Sequence, residues 1–367
     1  MKYLFIIQGE GRGHLTQALS LKSLLETNGH EVVAVMVGSS AKRRLPAFFD
    51  EKINAEVIRY LSPNFMPTPK NKRSPLLVSV LYNAMMLPAY IDSMMKIQNT
   101  INRTKPDIVV NFYELLCGIT YGLFHPKALM MNIAHQYYFL TSNFEYTGKK
   151  KWQFRMLNFY SRLTALNSYK ILALSFRRDI WLFENNIVIV PPLLRPEVLK
   201  SESETGNYIH GYMLNSGYVE DLALWSSNNP KQSLHFFWDK KGVDPVTHFP
   251  EKLTLHTLDD TLFLKYMAGS RAYATTGGFE SVCEAMYLQK PVLMVPTHIE
   301  QECNVMDAMR SGAGISADTF ELDKLLNFLP QYKKSESFRQ WVLLANEFFL
   351  TELCYLPELS AGFQLSF

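Results

Sequence analysis

Short aliphatic and β-branched runs, each followed by a helical stretch, constrain this chain more than any other feature. Strand-like runs stand at residues 3–7, 32–37, 55–61, 107–111, 129–134, 171–174 and 187–190. A second series follows at 208–214, 234–238, 253–255, 272–275 and 291–295. Near-continuous apolar strands alternating with helices are covered on both faces, which means parallel sheets. Two such series predict an α/β chain of two doubly wound domains.

Composition agrees. Of 367 residues, 47% are apolar and only 19% charged, enough to build two cores and too greasy for a disordered chain. The 37 Lys and Arg nearly balance the 34 Asp and Glu, a net of +3, so charge gives no argument for a nucleic-acid partner. Cys117, Cys283, Cys303 and Cys354 include no C-x-x-C pair, as expected of a reducing compartment. The apolar run 3–7 is too short for a signal-peptide core, and the greasy stretch 75–91 is broken by Asn83 and Pro88. The expectation is a cytoplasmic protein.

Pro191-Pro192 marks the expected join, because a Pro-Pro pair cannot donate to a ladder and stiffens the crossing. The predicted domains are 1–192 and 193–337. A last helical pattern over 338–350, with Trp341, Leu344, Ala345, Phe348 and Phe349 on one face, is expected to pack back on the first domain with the rest of 338–367.

Two places carry chemistry. After the first strand comes Gly9-Glu10-Gly11-Arg12-Gly13-His14, then a helix closed by Gly29. Glycine turns of this kind line the crevice where open α/β sheets bind ligands. A dinucleotide fingerprint fits poorly: His14 stands at the third glycine position, and no acid ends the second strand. A histidine at the crevice mouth, with an ordinary pKa of about 6.5, suits general-base work; a capping or packing role is the alternative.

The second place reads Thr275-Thr276-Gly277-Gly278-Phe279-Glu280-Ser281, then Glu284, Pro291, Pro296, and Glu300-Gln301-Glu302-Cys303-Asn304. Glycines and a hydroxyl before a helix form an anion site, since free N–H groups and a dipole of roughly +0.5 charge point outward. Glu284 stands one turn on, where a carboxylate accepts from vicinal ribose hydroxyls. Glu300 beside Gln301 can hold two neighbouring sugar hydroxyls. Each part alone has an ordinary structural reading; all three in this order and spacing are much less readily explained by structure alone.

These residues resemble the GT-B-fold glycosyltransferases of the UDP-glycosyltransferase superfamily, which includes plant and macrolide glycosyltransferases and the peptidoglycan N-acetylglucosaminyltransferase. The block from Gly277 to Asn304 is similar to their donor motif, and Gly13-His14 with Gly29-His30-Glu31-Val32 to their N-terminal opening. The resemblance spans both domains and is nearly absent over 61–170. It implies two Rossmann-like domains facing across a cleft, the first for the acceptor and the second for the donor. It further implies that His14 is the general base, that Gly277, Gly278, Phe279 and Ser281 meet the donor diphosphate, Glu284 the ribose, and Glu300 and Gln301 the sugar. Thr276 stands where many relatives carry a phosphate-binding histidine. Asn111 stands where many carry the aspartate that orients the catalytic histidine; Glu114, one turn on, is the candidate replacement.

By position in such a fold, His256 and Leu258 are expected at the base pocket, and Asn215 and Ser216 near the diphosphate. Gly13, His135 and Gln136 are expected on the acceptor side, although the aromatics after Gln136 fit a core equally well. The expected reaction is inverting, metal-independent transfer from a UDP-sugar to a hydroxyl acceptor, a small molecule or a glycolipid. No Asp-x-Asp metal motif occurs, and no cofactor is expected. The alternatives are a nucleotide-sugar epimerase of similar fold and a non-catalytic nucleotide-sugar-binding protein. Basic residues 70–73 before the apolar stretch 75–91, and Lys149-Lys150-Lys151-Trp152 before an aromatic helix, leave two readings open: peripheral contact with the inner face of a membrane, or core-facing helices with solvated lysines.

Overall fold

The computed structural model describes residues 1–41, 43–63, 85–179, 183–213, 216–240, 242–249 and 252–355. The first sheet is built from β1 (Lys2–Gln8), β2 (Glu31–Ser39), β3 (Val57–Leu61), β4 (Ile108–Phe112), β5 (Leu129–Ala134), β6 (Lys170–Leu174), β7 (Phe183–Glu184) and β8 (Ile187–Val190). Their order is β3-β2-β1-β4-β5-β6-β8-β7, parallel except for the β7–β8 edge pair. The second holds β9 (Tyr208–Met213), β10 (Ser233–Trp238), β11 (Val246–Phe249), β12 (Leu253–Thr257), β13 (Ala272–Thr275), β14 (Val292–Met294) and β15 (Gly314–Ser316). Here the order is β11-β12-β10-β9-β13-β14-β15, with only β11 antiparallel.

In each sheet the strand order reverses beside the first strand, between β1 and β4 and between β9 and β13. Loops leaving the carboxyl ends of those strands part there and open a crevice. The glycine loop ending in His14 follows β1, and the turn Thr276-Gly277-Gly278 follows β13. Both sequence motifs therefore fall at the two topological switch points.

Local chemistry makes these elements. The run Tyr3–Ile7 of β1 and all of β4 are buried and, Asn111 apart, apolar on both faces, as central parallel strands must be. The helix Arg12–Thr27 buries Leu15, Ala18, Leu21 and Leu25 at three- and four-residue spacing. Burying each leucine contributes about 1.5–3 kcal/mol. The helix stops at Gly29, whose φ of +78° an L-residue rarely adopts. His30 N–H then reaches Leu25 O at 3.0 Å and Gly29 N–H reaches Glu26 O at 3.1 Å, a Schellman closure.

Three edge strands were not legible as strands: β7 has two residues, β15 three, and β11 is a half-exposed antiparallel edge. The single C-terminal helix expected over 338–350 is two, Glu336–Leu343 and Ala345–Cys354, broken at Leu344. They meet the first sheet: Trp341 Nε1 donates to Ser175 O at 3.0 Å and Tyr3 OH to Leu353 O at 3.0 Å. One apolar cluster also runs through both lobes, from Phe5 and Phe112 by way of Phe176 and Phe279 to Phe237.

Candidate active site

The first site begins where β1 ends. A Cβ on Gly9 would lie 2.5 Å from Val37 Cγ1, so the chain turns too tightly there for any other residue. Gly11 caps the following helix without a side-chain hydrogen bond, and His14 stands in the first turn. Its ring stacks on Tyr113 at 5.9 Å, and Nδ1 lies 3.4 Å from Gln17 Oε1. Gln17 Nε2 in turn donates to Glu280 Oε2 at 2.9 Å. With its amide nitrogen so used, Gln17 accepts from His14 Nδ1–H, which leaves Nε2 as the basic nitrogen. Burial holds His14 below its ordinary 6.5, opposed by the Glu300 carboxylate and by Gln17.

Glu280 belongs to the second lobe, and its Cβ lies 3.5 Å from where a Cβ on Gly13 would stand. The two glycine loops thus face each other in contact. Burial, with Glu284 nearby, pushes the Glu280 carboxyl up to about 8. Its Oε1 is buried and has no hydrogen-bond partner among the described residues.

Asn111 and Glu114 require correction, because neither bonds His14. Asn111 Nδ2 donates to Glu114 O at 3.1 Å and Thr164 O at 2.9 Å, and its Oδ1 accepts from Glu114 N–H at 2.8 Å. The Glu114 carboxylate caps the helix Leu115–Phe124, accepting from Cys117 N–H at 2.7 Å and from the Ser62 hydroxyl. Both side chains are spent on holding the loop that presents Tyr113 to His14.

On the donor side, Gly277 has φ +83°, and a Cβ there would lie 2.7 Å from Val305 Cγ2. Gly278 caps the helix Phe279–Tyr287 with no side-chain hydrogen bond. Asn304 Nδ2 pins the turn by donating to Gly277 O at 3.3 Å, and Ser281 Oγ donates to Gly278 O at 3.4 Å. Glu284 is buried and accepts from Arg195 Nε at 2.6 Å and Nη2 at 3.2 Å, while Arg195 also binds Asp260. Burial raises the Glu284 carboxyl and Arg195 opposes it. A carboxylate has about four lone-pair sites and Arg195 occupies two, so hydroxyls can still be accepted.

Glu300 and Gln136 meet across the lobes, Gln136 Nε2 donating to Glu300 Oε1 at 2.8 Å. Gln301 Oε1 accepts from Thr297 N–H at 2.9 Å and its hydroxyl at 2.8 Å, which leaves the NH₂ group to donate.

Other expectations fall differently. His135 is 2% exposed, stacked at 4.0 Å on Phe279, with Nδ1 donating to Leu174 O at 2.7 Å; it is an interlobe wedge, not an acceptor contact. Burial pushes it down to about 3. The Phe279 side chain is likewise turned into that packing, 4.7 Å from Phe176, which leaves its backbone N–H as the group it can offer a donor. His256 is buried against Phe237 and Tyr266 with Nε2 3.2 Å from His235 Nδ1, so it presents no edge to a base. Leu258 packs half-buried on the apolar cluster that both lobes share. Asn215 lies outside the described residues, as do 70–73. Ser216 opens a 3₁₀ turn, Ser216–Tyr218, beyond the carboxyl end of β9.

Gln17, Glu280 and Arg195 were missed. Gln17 is three residues after His14, the spacing that puts two side chains together on a helix. Glu280 stands inside the donor motif itself. Arg195 gives no local cue, since its partners are 65 and 89 residues away. Beside the site a cavity of about 220 Å³ gathers Arg12, Arg43 and Arg44 against Asp239. Arg12 stacks over Phe48 at 5.6 Å, and its Nε is buried without a hydrogen-bond partner among the described residues.

Two lobes whose switch-point loops face each other define the GT-B fold, and solved glycosyltransferases share it. UGT2 of Phytolacca americana, complexed with UDP-2fluoro-glucose and pterostilbene, has a TM-score of 0.63 at 10% identity, covering 97% of this chain and 99% of that one. UGT89C1 of Arabidopsis thaliana, complexed with quercetin, has 0.56 at 15% identity, covering 94% and 93%. The glycotransferase of kitacinnamycin has 0.61 at 14% identity, covering 94% of each chain. No curated protein matches the sequence. The profile of glycosyl transferase family 1 matches residues 1–332, and the chain belongs to that family.

Proposed function

We propose that the enzyme transfers a sugar from a UDP-sugar to a hydroxyl acceptor with inversion and without a metal. The observation that carries this reading is the contact between the uncapped helix end at Gly278 and the His14 loop. A diphosphate at that helix end meets backbone N–H groups aimed before any charge develops, so its departure needs no reorganisation. His14 Nε2 takes the acceptor proton while the acceptor oxygen attacks the anomeric carbon from the face opposite the nucleotide. The bond from that carbon to the diphosphate oxygen breaks, and its electron pair leaves with the nucleotide.

Gln17 and Glu280 position the base in place of the usual aspartate. Because Glu280 comes from the donor lobe, closing the lobes also aligns His14. Tyr113 and Tyr160, 5.5 Å apart, wall the acceptor side. The sequence holds no Asp-x-Asp, the motif through which the other large transferase fold holds its metal, and that favours the metal-free reading.

The test is a panel of nucleotide sugars with and without hydroxyl acceptors. Nucleotide release only when acceptor is present is expected; conversion of the sugar without acceptor refutes transfer. His14→Ala should lower the rate on the order of 10²–10⁴ while nucleotide binding by calorimetry persists. An unchanged rate removes His14 from its role.

A further inference from the structure

Three neighbouring helices of the first lobe carry exposed apolar side chains among the polar ones on their outward sides. Leu87–Thr104 packs on Leu115–Phe124, which packs on Lys151–Thr164. The second contact is backbone on backbone, since a Cβ on Gly118 would lie 2.2 Å from Leu163 O. Leu87 is 59% exposed, Ile91 55%, Leu123 61%, Trp152 66% and Phe159 55%. Ile91 follows Leu87 by one turn, and Trp152, Met156 and Phe159 recur at four- and three-residue spacing, so these are stripes, not scatter. Apolar residues gathered in this way on one face mark an interaction site.

Charge selects the partner. Lys151, Arg155 and Arg162 are exposed along the last helix, which holds no carboxylate, and none of the three is paired with an acid among the described residues. Asp92 is the one carboxylate in the three helices. A second copy would bring an equally positive face against this one. An anionic bilayer satisfies both features: aromatic and aliphatic side chains enter the headgroup boundary while lysines and arginines meet lipid phosphates. No described helix is long and apolar enough to cross a membrane.

We infer that this face docks the enzyme on an anionic lipid surface, with the helix Lys151–Thr164 lying in the headgroup region. Its inner side carries Tyr160, 5.5 Å from Tyr113, which stacks on His14. Docking therefore sets one wall of the His14 pocket against the bilayer.

Co-sedimentation of the full chain with phosphatidylcholine vesicles, with and without phosphatidylglycerol, tests this. Binding to the anionic vesicles, weakened by salt, is expected. Lys151→Gln, Arg155→Gln and Arg162→Gln together should weaken it on the order of 100-fold. Trp152→Glu with Phe159→Glu should abolish it, with melting temperatures unchanged in both variants. No binding to anionic vesicles at low salt overturns the inference, as does equal binding by the Trp152→Glu, Phe159→Glu variant. Concentration-dependent self-association without lipid binding, removed by those substitutions, also overturns it and makes the face an interface between copies.

Discussion

Replacing Gln17 with leucine removes the polar group that meets His14 Nδ1 while keeping side-chain bulk and helix propensity. Two bonds disappear: the 3.4 Å contact to His14 and the 2.9 Å bond to Glu280. One neutral hydrogen bond contributes about 0.5–1.5 kcal/mol, roughly 2- to 12-fold in rate if expressed fully in the transition state. Loss of ring orientation adds to this, so kcat/KM should fall on the order of 10–100-fold. The pH profile carries the sharper sign. Gln17 raises the pKa of His14 against the larger lowering by burial, so its removal lowers that pKa further. The unprotonated base then survives to lower pH, and the acid limb of kcat/KM moves down. Nucleotide release measured across pH, with UDP binding followed by calorimetry, reads both effects. A kcat/KM within about twofold of the parent and an unmoved acid limb would refute the positioning role.

Arg195→Met strands the buried Glu284 and its neighbour Asp260 without their shared cation, and should cost about 3–5 kcal/mol in urea unfolding; a loss under 1 kcal/mol contradicts the ion-pair reading. Gly277→Ala forces an L-residue to φ +83° against Val305, so about 1–3 kcal/mol of stability and much of the nucleotide affinity should go, checked by urea melts and calorimetry. His210, His235 and His256 are all held below 6.5 by burial, His256 at about 4. The folded state then binds fewer protons than the unfolded one, so their contribution is present above pH 6.5 and is lost as pH falls toward 4. Urea midpoints at pH 7 and pH 4.5 should show a smaller drop in His256→Gln than in the parent protein.

Periodicity made the two sheets readable, because parallel strands such as β1 and β4 are apolar on both faces and stand out from their helices. Edge strands were not, since β11 alternates exposed and half-exposed residues that read as loop. The glycine turns were legible for the same physical reason that they function: Gly9 and Gly277 occupy places where a Cβ does not fit. What surrounds them was not. Whether Glu114 orients His14 or caps its own helix depends on where the β4 loop points, and Arg195 finds Glu284 only after the second lobe has folded. His135 and His256 follow or end strands as ligand-binding residues do, yet cross-strand and interlobe packing takes both.

In the proposed mechanism an activated sugar is gripped by its diphosphate at the start of the helix Phe279–Tyr287, opposite His14. A crystal structure with UDP tests it most directly. Diphosphate density is expected within hydrogen-bond reach of the backbone N–H groups following Gly278, with His14 facing the open end of the site. Diphosphate lodged instead in the cavity of Arg12, Arg43 and Arg44, with the Gly278 helix end empty, would contradict it.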